Sequence, residues 1–364
     1  MKTLFDKTIL NQMELKNRFV RSATWEGLAN LDGSPSTELE DLLLELAKGQ
    51  LGLIITSHSF INKIGQARKR QLGIFNDNLV TSYTKMIEKI HQAGCKIIMQ
   101  ISHAGCRAPI QLIKRKPLGP SFIRSQECDQ CEEMTKKEIT QTIRDFQMAA
   151  IRAKIAGFDG IQVHAAHGYL LSQFLSPYFN HRTDEYGGSI ENRSRMLLEI
   201  ISSIRDKLGN SFPILTKINS DDYINGGFRP FEMMQVSKML EEVGIDAIEL
   251  SGGTGLTISK YSYARKCKKE NIYYYDSARL FKTKIKVPLI IVGGIRSYDT
   301  ARELVKNKLA DYISLCRPLI REPYLIKNWQ EGTTKNAKCI SCNKCYTPVK
   351  EGRGIYCVEE KKEN

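Results

Sequence analysis

The sequence predicts an α/β protein built as a single (β/α)8 TIM barrel with a short C-terminal cysteine-containing extension, and three observations predict it. Eight short apolar runs with strand character recur along the 364 residues, stretches of helical periodicity separate most of them, and no glycine-rich dinucleotide fingerprint follows the first run. Several runs are near-continuously apolar, as strands buried on both faces of a parallel sheet must be. Eight alternating units favour a closed barrel over an open doubly wound sheet. The missing fingerprint argues against the open nucleotide-binding alternative.

Taken in order, the strand-like runs cover residues 18–24, 51–57, 96–102, 158–164, 213–218, 246–250, 288–293 and 311–316. Helical periodicity fills 39–48, 79–92, 136–156, 193–208, 231–243 and 298–306. Thr37 with Glu40 reads as a capping box before the first helix, and Gly94, Gly157, Gly209 and Gly244 each follow a helical stretch. The sixth unit carries the weakest signal: residues 260–275 are basic and tyrosine-rich without clear periodicity and predict a long surface loop. A short helix is expected near Pro323. The expected division is a barrel over 1–330 and a cysteine-rich tail over 331–364.

The formal charge is +14. Its basic residues are spread along the chain and not interleaved with aromatics in one stripe, so solvated helix faces account for them better than a nucleic-acid footprint. The start, MKTLFDKTIL, lacks the unbroken apolar stretch of a secretory signal, and no run approaches the length that spans a bilayer. A cytoplasmic protein is expected. Ten cysteines in that compartment stay mostly reduced, so local pairs suggest metal or thiol chemistry before a disulfide framework. Cys95, Cys267 and Cys316 read as single packing or surface residues.

Reactive groups of such a barrel sit at the carboxyl ends of its strands. Here those ends are polar: Gln100, Ser102 and His103 at the third, His164, His167 and Tyr169 at the fourth, Lys217 and Asn219 at the fifth, Gly293 and Gly294 at the seventh, Cys316 and Arg317 at the eighth. A glutamine offers a donor and an acceptor together, which the edge of a flavin pyrimidine ring requires. A cation beside that edge stabilises the negative charge that reduction places there, and Lys217 is the candidate. Paired glycines followed by an arginine on the next strand suit a phosphate. Each of these features alone is more often structural, as a Gly-Gly turn or a satisfied core glutamine; their placement on successive strands raises their weight. Two histidines three residues apart can aim at one oxygen, and Tyr169 can reach the same cavity from another direction. No carboxylate between Ile161 and Asp184 completes a metal set, which favours hydrogen-bond donors over ligands.

The stretch His164-Ala-Ala-His167-Gly-Tyr169, with Phe174-Leu-Ser-Pro177 and the segment from Asn180 to Arg193, resembles the signature of the Old Yellow Enzyme family. Leu15-Lys-Asn-Arg18 and Gln100-Ile-Ser-His-Ala-Gly105 do so too, and the likeness runs from about Phe5 to Trp329. The resemblance implies an FMN-dependent oxidoreductase that passes hydride from NADH or NADPH to an activated alkene. By it, Ser22, Ala23, Thr24 and Trp25 lie along the flavin, His58 contacts it, Gln100 and Lys217 meet its pyrimidine edge, and Gly293, Gly294, Cys316 and Arg317 hold its phosphate. His164 and His167 would bind the substrate carbonyl or nitro oxygen, and Tyr169 would donate the proton. Three positions depart from the pattern. Trp25 stands where relatives carry Cys or Thr, His58 replaces a small residue, and Cys316 replaces a glycine. Lys217 occupies a place usually held by arginine.

The tail carries Cys339-x2-Cys342-x2-Cys345-x11-Cys357, an array able to hold an iron–sulfur cluster or a zinc ion, or to remain free thiols. It resembles the cluster motif of the 2,4-dienoyl-CoA reductase branch, where the middle spacing is one residue longer. Cys128-x2-Cys131 is a second pair with no evident partner. Two other readings stand beside the ene-reductase: a dihydrouridine-synthase-like barrel acting on tRNA, against which Tyr169 replaces the acid cysteine, and a thiol-based redox sensor. The partners implied are a small-molecule substrate and a nicotinamide nucleotide, without nucleic acid or membrane; a homo-oligomer is left open.

Overall fold

In the computed structural model, residues 3–123, 128, 130–257 and 272–360 are described. Eight parallel strands close into a barrel in chain order: β1 (Phe19–Arg21), β2 (Leu53–Phe60), β3 (Lys96–Ser102), β4 (Ile161–Ala165), β5 (Ile214–Asn219), β6 (Ala247–Ser251), β7 (Leu289–Val292) and β8 (Tyr312–Leu315). Helices alternate with them: α1 (Thr37–Lys48), α2 (Val80–Gln92), α3 (Lys136–Ala156), α4 (Ile190–Leu208), α5 (Pro230–Glu242), α6 (Tyr275–Lys284), α7 (Tyr298–Lys306) and α8 (Leu325–Gln330). The predicted barrel is therefore the observed fold. No helix among the described residues is long and apolar enough to cross a membrane.

Period-two alternation decides what each strand shows to which side. Outward residues such as Phe19, Ile54, Ile97, Met99, Val163, Ile248 and Ile313 join the large core between sheet and helices. Inward residues form layers. The lowest is apolar, with Val20, Leu53, Ile55, Ile98, Leu215, Ala247, Ile290 and Tyr312 in one cluster. An antiparallel hairpin, Thr8–Leu10 with Met13–Leu15, plugs this end by adding Leu10, Met13 and Leu15 to the cluster. One alternation higher the inward positions turn polar, and there the register sets Gln100 beside Gln162, His164 beside Lys217, and Lys217 beside Glu249.

Some expectations shift. Ser36, not Thr37, caps α1, because its Oγ accepts from the Leu39 N–H at 3.2 Å while Thr37 is already helical. A full capping box stands instead at Thr135 and Glu138, ahead of α3. Gly94, Gly157, Gly209 and Gly244 all take positive φ at helix ends, as expected. The expected loop over 260–275 lies mostly outside the described residues, and its last residue opens α6.

Arg193 on α4 forms a buried ion pair with Glu232 on α5 and donates to the Leu175 carbonyl and to that of Gly188 at 3.0 Å. Glu232 also accepts from the Arg229 N–H at 3.0 Å, so one carboxylate caps α5 and balances the guanidinium. Removing it strands a buried charge. Glu232→Ala is expected to lower the unfolding free energy by about 3 kcal/mol, read as a shifted urea midpoint; an unshifted midpoint contradicts the assignment.

Candidate active site

Six strands contribute to one buried polar network. Gln100 Nε2 donates to Gln162 Oε1 at 2.7 Å, and Gln162 Nε2 donates to Glu249 Oε2 at 2.9 Å. Glu249 Oε1 accepts from the Ser22 and Ser314 hydroxyls at 2.8 and 2.9 Å. Lys217 Nζ donates to Ser22 Oγ at 2.9 Å and lies 3.1 Å from Glu249 Oε2. Gln100, Ser22 and Lys217 were expected at the site; Gln162 and Glu249 were not. Their signal is present in the strand phase, because IQVHA places Gln162 two residues before His164 and AIELS places Glu249 two before Ser251.

Above this network four rings converge. The ring centres of His164 lie 5.2 Å from those of His167 and 5.1 Å from those of Tyr169, and His58 stands 5.4 Å from Tyr169 and 6.4 Å from His164. His164 points inward from the end of β4. His167 follows on a turn with φ +63°, its N–H bonded to Asn219 Oδ1 at 3.1 Å and its Nε2 2.6 Å from Ser251 Oγ. Arg107 donates to the His167 carbonyl at 2.7 Å and sits 5.1 Å from the Tyr169 ring centre. The Tyr169 hydroxyl shares a hydrogen bond of 3.3 Å with His58 Nε2. The predicted trio is thus assembled, and His58, expected beside the flavin, reaches the phenol.

Burial favours the neutral form of His58, His164 and His103. His58 is pushed down to about 3 by loss of solvent, with Arg68, Arg107 and Lys217 adding to it. His164 lies well below the ordinary histidine value, first through burial and then through His167, His58 and Lys217. His103, the third-strand histidine, is pushed down to about 3 by burial alone.

The remaining expected residues lie around this centre. Ala23 packs on the apolar layer, and Thr24 Oγ1 donates to the Ser22 carbonyl at 2.9 Å and lies 3.1 Å from Cys316 Sγ. Trp25 packs with Val349 and Ile355 of the tail. Gly293 and Gly294 hold φ of +99° and +83°, which only glycine adopts without strain, and a Cβ on Gly293 would come within 2.7 Å of the Tyr273 ring. Arg317 donates to Tyr273 Oη at 2.9 Å, Asn343 Oδ1 at 2.7 Å and the Ser341 carbonyl at 3.3 Å, which turns it toward the tail. There Cys339, Cys342, Cys345 and Cys357 line one cavity with Arg317. Burial pushes the Cys345 thiol up to about 12 and raises Cys339. Cys128 does not pair with Cys131. It is bonded to Cys106, on the turn after β3, while Cys131 is a buried free thiol in the same apolar cluster.

These residues fit a flavin mononucleotide. His164 Nδ1 is buried without a hydrogen-bond partner among the described residues, and the Gln100 amide and the Lys217 ammonium share one network on the barrel floor through Gln162 and Glu249. Barrel and site together define a flavin-dependent oxidoreductase. A family model described as NADH:flavin oxidoreductase / NADH oxidase matches residues 3–336. An NADH oxidase of Thermoanaerobacter brockii is 35% identical over 348 residues, 93% of this chain and 52% of that protein. An NADPH dehydrogenase of Halalkalibacterium halodurans is 34% identical over 322 residues, 88% of this chain and 92% of that protein. The solved complex of a 2-naphthoyl-CoA reductase with 2-naphthoyl-CoA superposes with a TM-score of 0.91 at 28% identity, covering 98% of this chain and 56% of that one. The chain spans about half the length of the NADH oxidase and of the 2-naphthoyl-CoA reductase. It belongs to the NADH:flavin oxidoreductase / NADH oxidase family, the Old Yellow Enzyme family indicated by its motifs.

The neutral histidines carry a consequence for stability. Unfolded, each binds a proton below about pH 6.5, whereas folded His103 stays neutral until about pH 3, so stability is full above that window and lost as pH falls through it. His103→Gln is expected to flatten the pH dependence of unfolding free energy between about pH 6 and pH 4 by about 1.4 kcal/mol per pH unit. Parallel curves for parent and variant would contradict this.

Proposed function

We propose that this chain uses NAD(P)H, through bound FMN, to reduce the C=C bond of α,β-unsaturated carbonyl compounds or of their nitro and enoyl-thioester analogues. The observation that carries the reading is the convergence of His164, His167 and Tyr169 around the buried, unpartnered His164 Nδ1. That the 2-naphthoyl-CoA reductase binds an acyl thioester supports including thioesters. FMN, when bound, supplies the two-electron chemistry, taking hydride from the nicotinamide and giving it to the alkene.

The protein's own groups do the rest. Gln100 and Lys217 would hold the ring edge, and Gly293, Gly294 and Cys316 the phosphate end, where Arg317 would join them only on leaving Tyr273, Ser341 and Asn343. His164, kept neutral by burial, turns a ring N–H to the substrate oxygen, and His167, fixed by Asn219 and Ser251, meets it from the side. Together they stabilise the negative charge that grows on that oxygen. Tyr169 donates its proton to the α-carbon, with the phenol oriented by His58 and its ring flanked by Arg107.

Tyr169→Phe is expected to slow alkene reduction by about 10²- to 10⁴-fold while leaving flavin reduction by NAD(P)H nearly intact, as followed by anaerobic stopped-flow absorbance of the two half-reactions. Equal loss in both removes Tyr169 from the role of proton donor. The sequence spacing of Cys339, Cys342, Cys345 and Cys357 supports a resident iron–sulfur cluster or zinc ion, although among the described residues they line one cavity without three of them standing together as ligands. Protein purified anaerobically is expected to carry iron with acid-labile sulfide, or stoichiometric zinc, and Cys342→Ala to lose it; parent protein free of both leaves these residues as thiols.

A further inference from the structure

We propose that Glu249 is a positioning residue that sets both the charge and the hydrogen-bond direction the barrel floor presents to a bound flavin, an inference that rests on the flavin reading above. Its carboxylate, fully buried, takes four donors: the hydroxyls of Ser22 and Ser314 on one oxygen, the Gln162 amide and the Lys217 ammonium on the other. An ionised carboxylate only accepts. Gln162 must therefore turn its NH2 to Glu249 and its carbonyl oxygen to Gln100, and Gln100 must answer with its own NH2. The acceptor at β6 thus fixes which way an amide faces two residues away, on β3.

The same carboxylate governs charge. Two of the three Lys217 N–H groups are directed at Ser22 and Glu249, and the pair is 3% and 0% exposed, so no solvent screens it. A ring edge that becomes negative on reduction then meets a paired ammonium and not a free one. Glu249 holds back the stabilisation that Lys217 alone would give.

The test is the sulfite affinity of the purified flavoprotein, since sulfite adds to the oxidised ring to give an anionic, bleached adduct, together with the flavin midpoint potential. Glu249→Gln, which keeps the shape and removes the charge, is expected to tighten sulfite binding about tenfold or more and to raise the two-electron potential by about 30 mV per tenfold. Flavin retained with unchanged affinity and potential overturns the proposal. Parent protein that binds no flavin overturns instead the functional reading beneath it. Should Glu249→Gln not fold, the double variant Lys217→Met with Glu249→Gln carries the test: affinity within about threefold of parent supports mutual compensation, and a fall of about tenfold or more shows that Lys217 acts unopposed, which overturns it.

Discussion

The pairing of Lys217 with Glu249 is the constraint on which the site depends. Two charges removed from water in the middle of a barrel are tolerated only where hydrogen bonds saturate them, and here two serines and a glutamine complete the set. Those partners come from the residue just after β1 and from β4 and β8, so the strands must keep their mutual register for the pair to exist at all. A slip of one residue on any of them would turn a polar group out into the apolar core and an apolar one in. The interior is accordingly sorted by height, with hydrocarbon at the hairpin end and hydrogen-bonding groups above it.

Over this floor the chain departs from regular structure to gather its reactive groups. The turn after β4 puts His167 in the left-handed region, a conformation that a non-glycine residue keeps only when its surroundings hold it. Asn219 from β5 binds its N–H, Ser251 from β6 its side chain and Arg107 from the turn after β3 its carbonyl. Three neighbouring units thus fix one imidazole. The Cys106 to Cys128 bond lies in this same region, since Cys106 immediately precedes Arg107 and its N–H is bonded to Gln173 Oε1.

Much of this was legible in the sequence. Strand periodicity and polar strand ends announce the barrel and the Gln100, His164, Tyr169 and Lys217 positions, because a side chain at the end of a barrel strand has few places to go. Gln162 and Glu249 were hidden by the opposite circumstance. Each is a polar residue flanked on both sides by apolar ones within its strand, where those neighbours dominate the reading and only the inward phase gives it away. The Cys106 bond joins residues 22 apart and across a loop, a distance over which no local pattern speaks. Arg317, readable as a phosphate ligand from its strand-end position, is drawn toward Asn343 and Ser341 by a tail whose docking no periodicity encodes.

The small hairpin that closes the lower end has a meaning for traffic. With Leu10, Met13 and Leu15 clustered with Val20, Leu53 and Ile290, the lower end of the barrel is filled with hydrocarbon, and its polar groups lie toward the upper rim. On the proposed reading, an electron donor and an electron acceptor that both reach the ring through that rim and meet the same imidazoles would exclude each other, the first departing before the second arrives. A stopper of three-residue strands, far from the four rings, would in this way bear on the order of events in the proposed cycle.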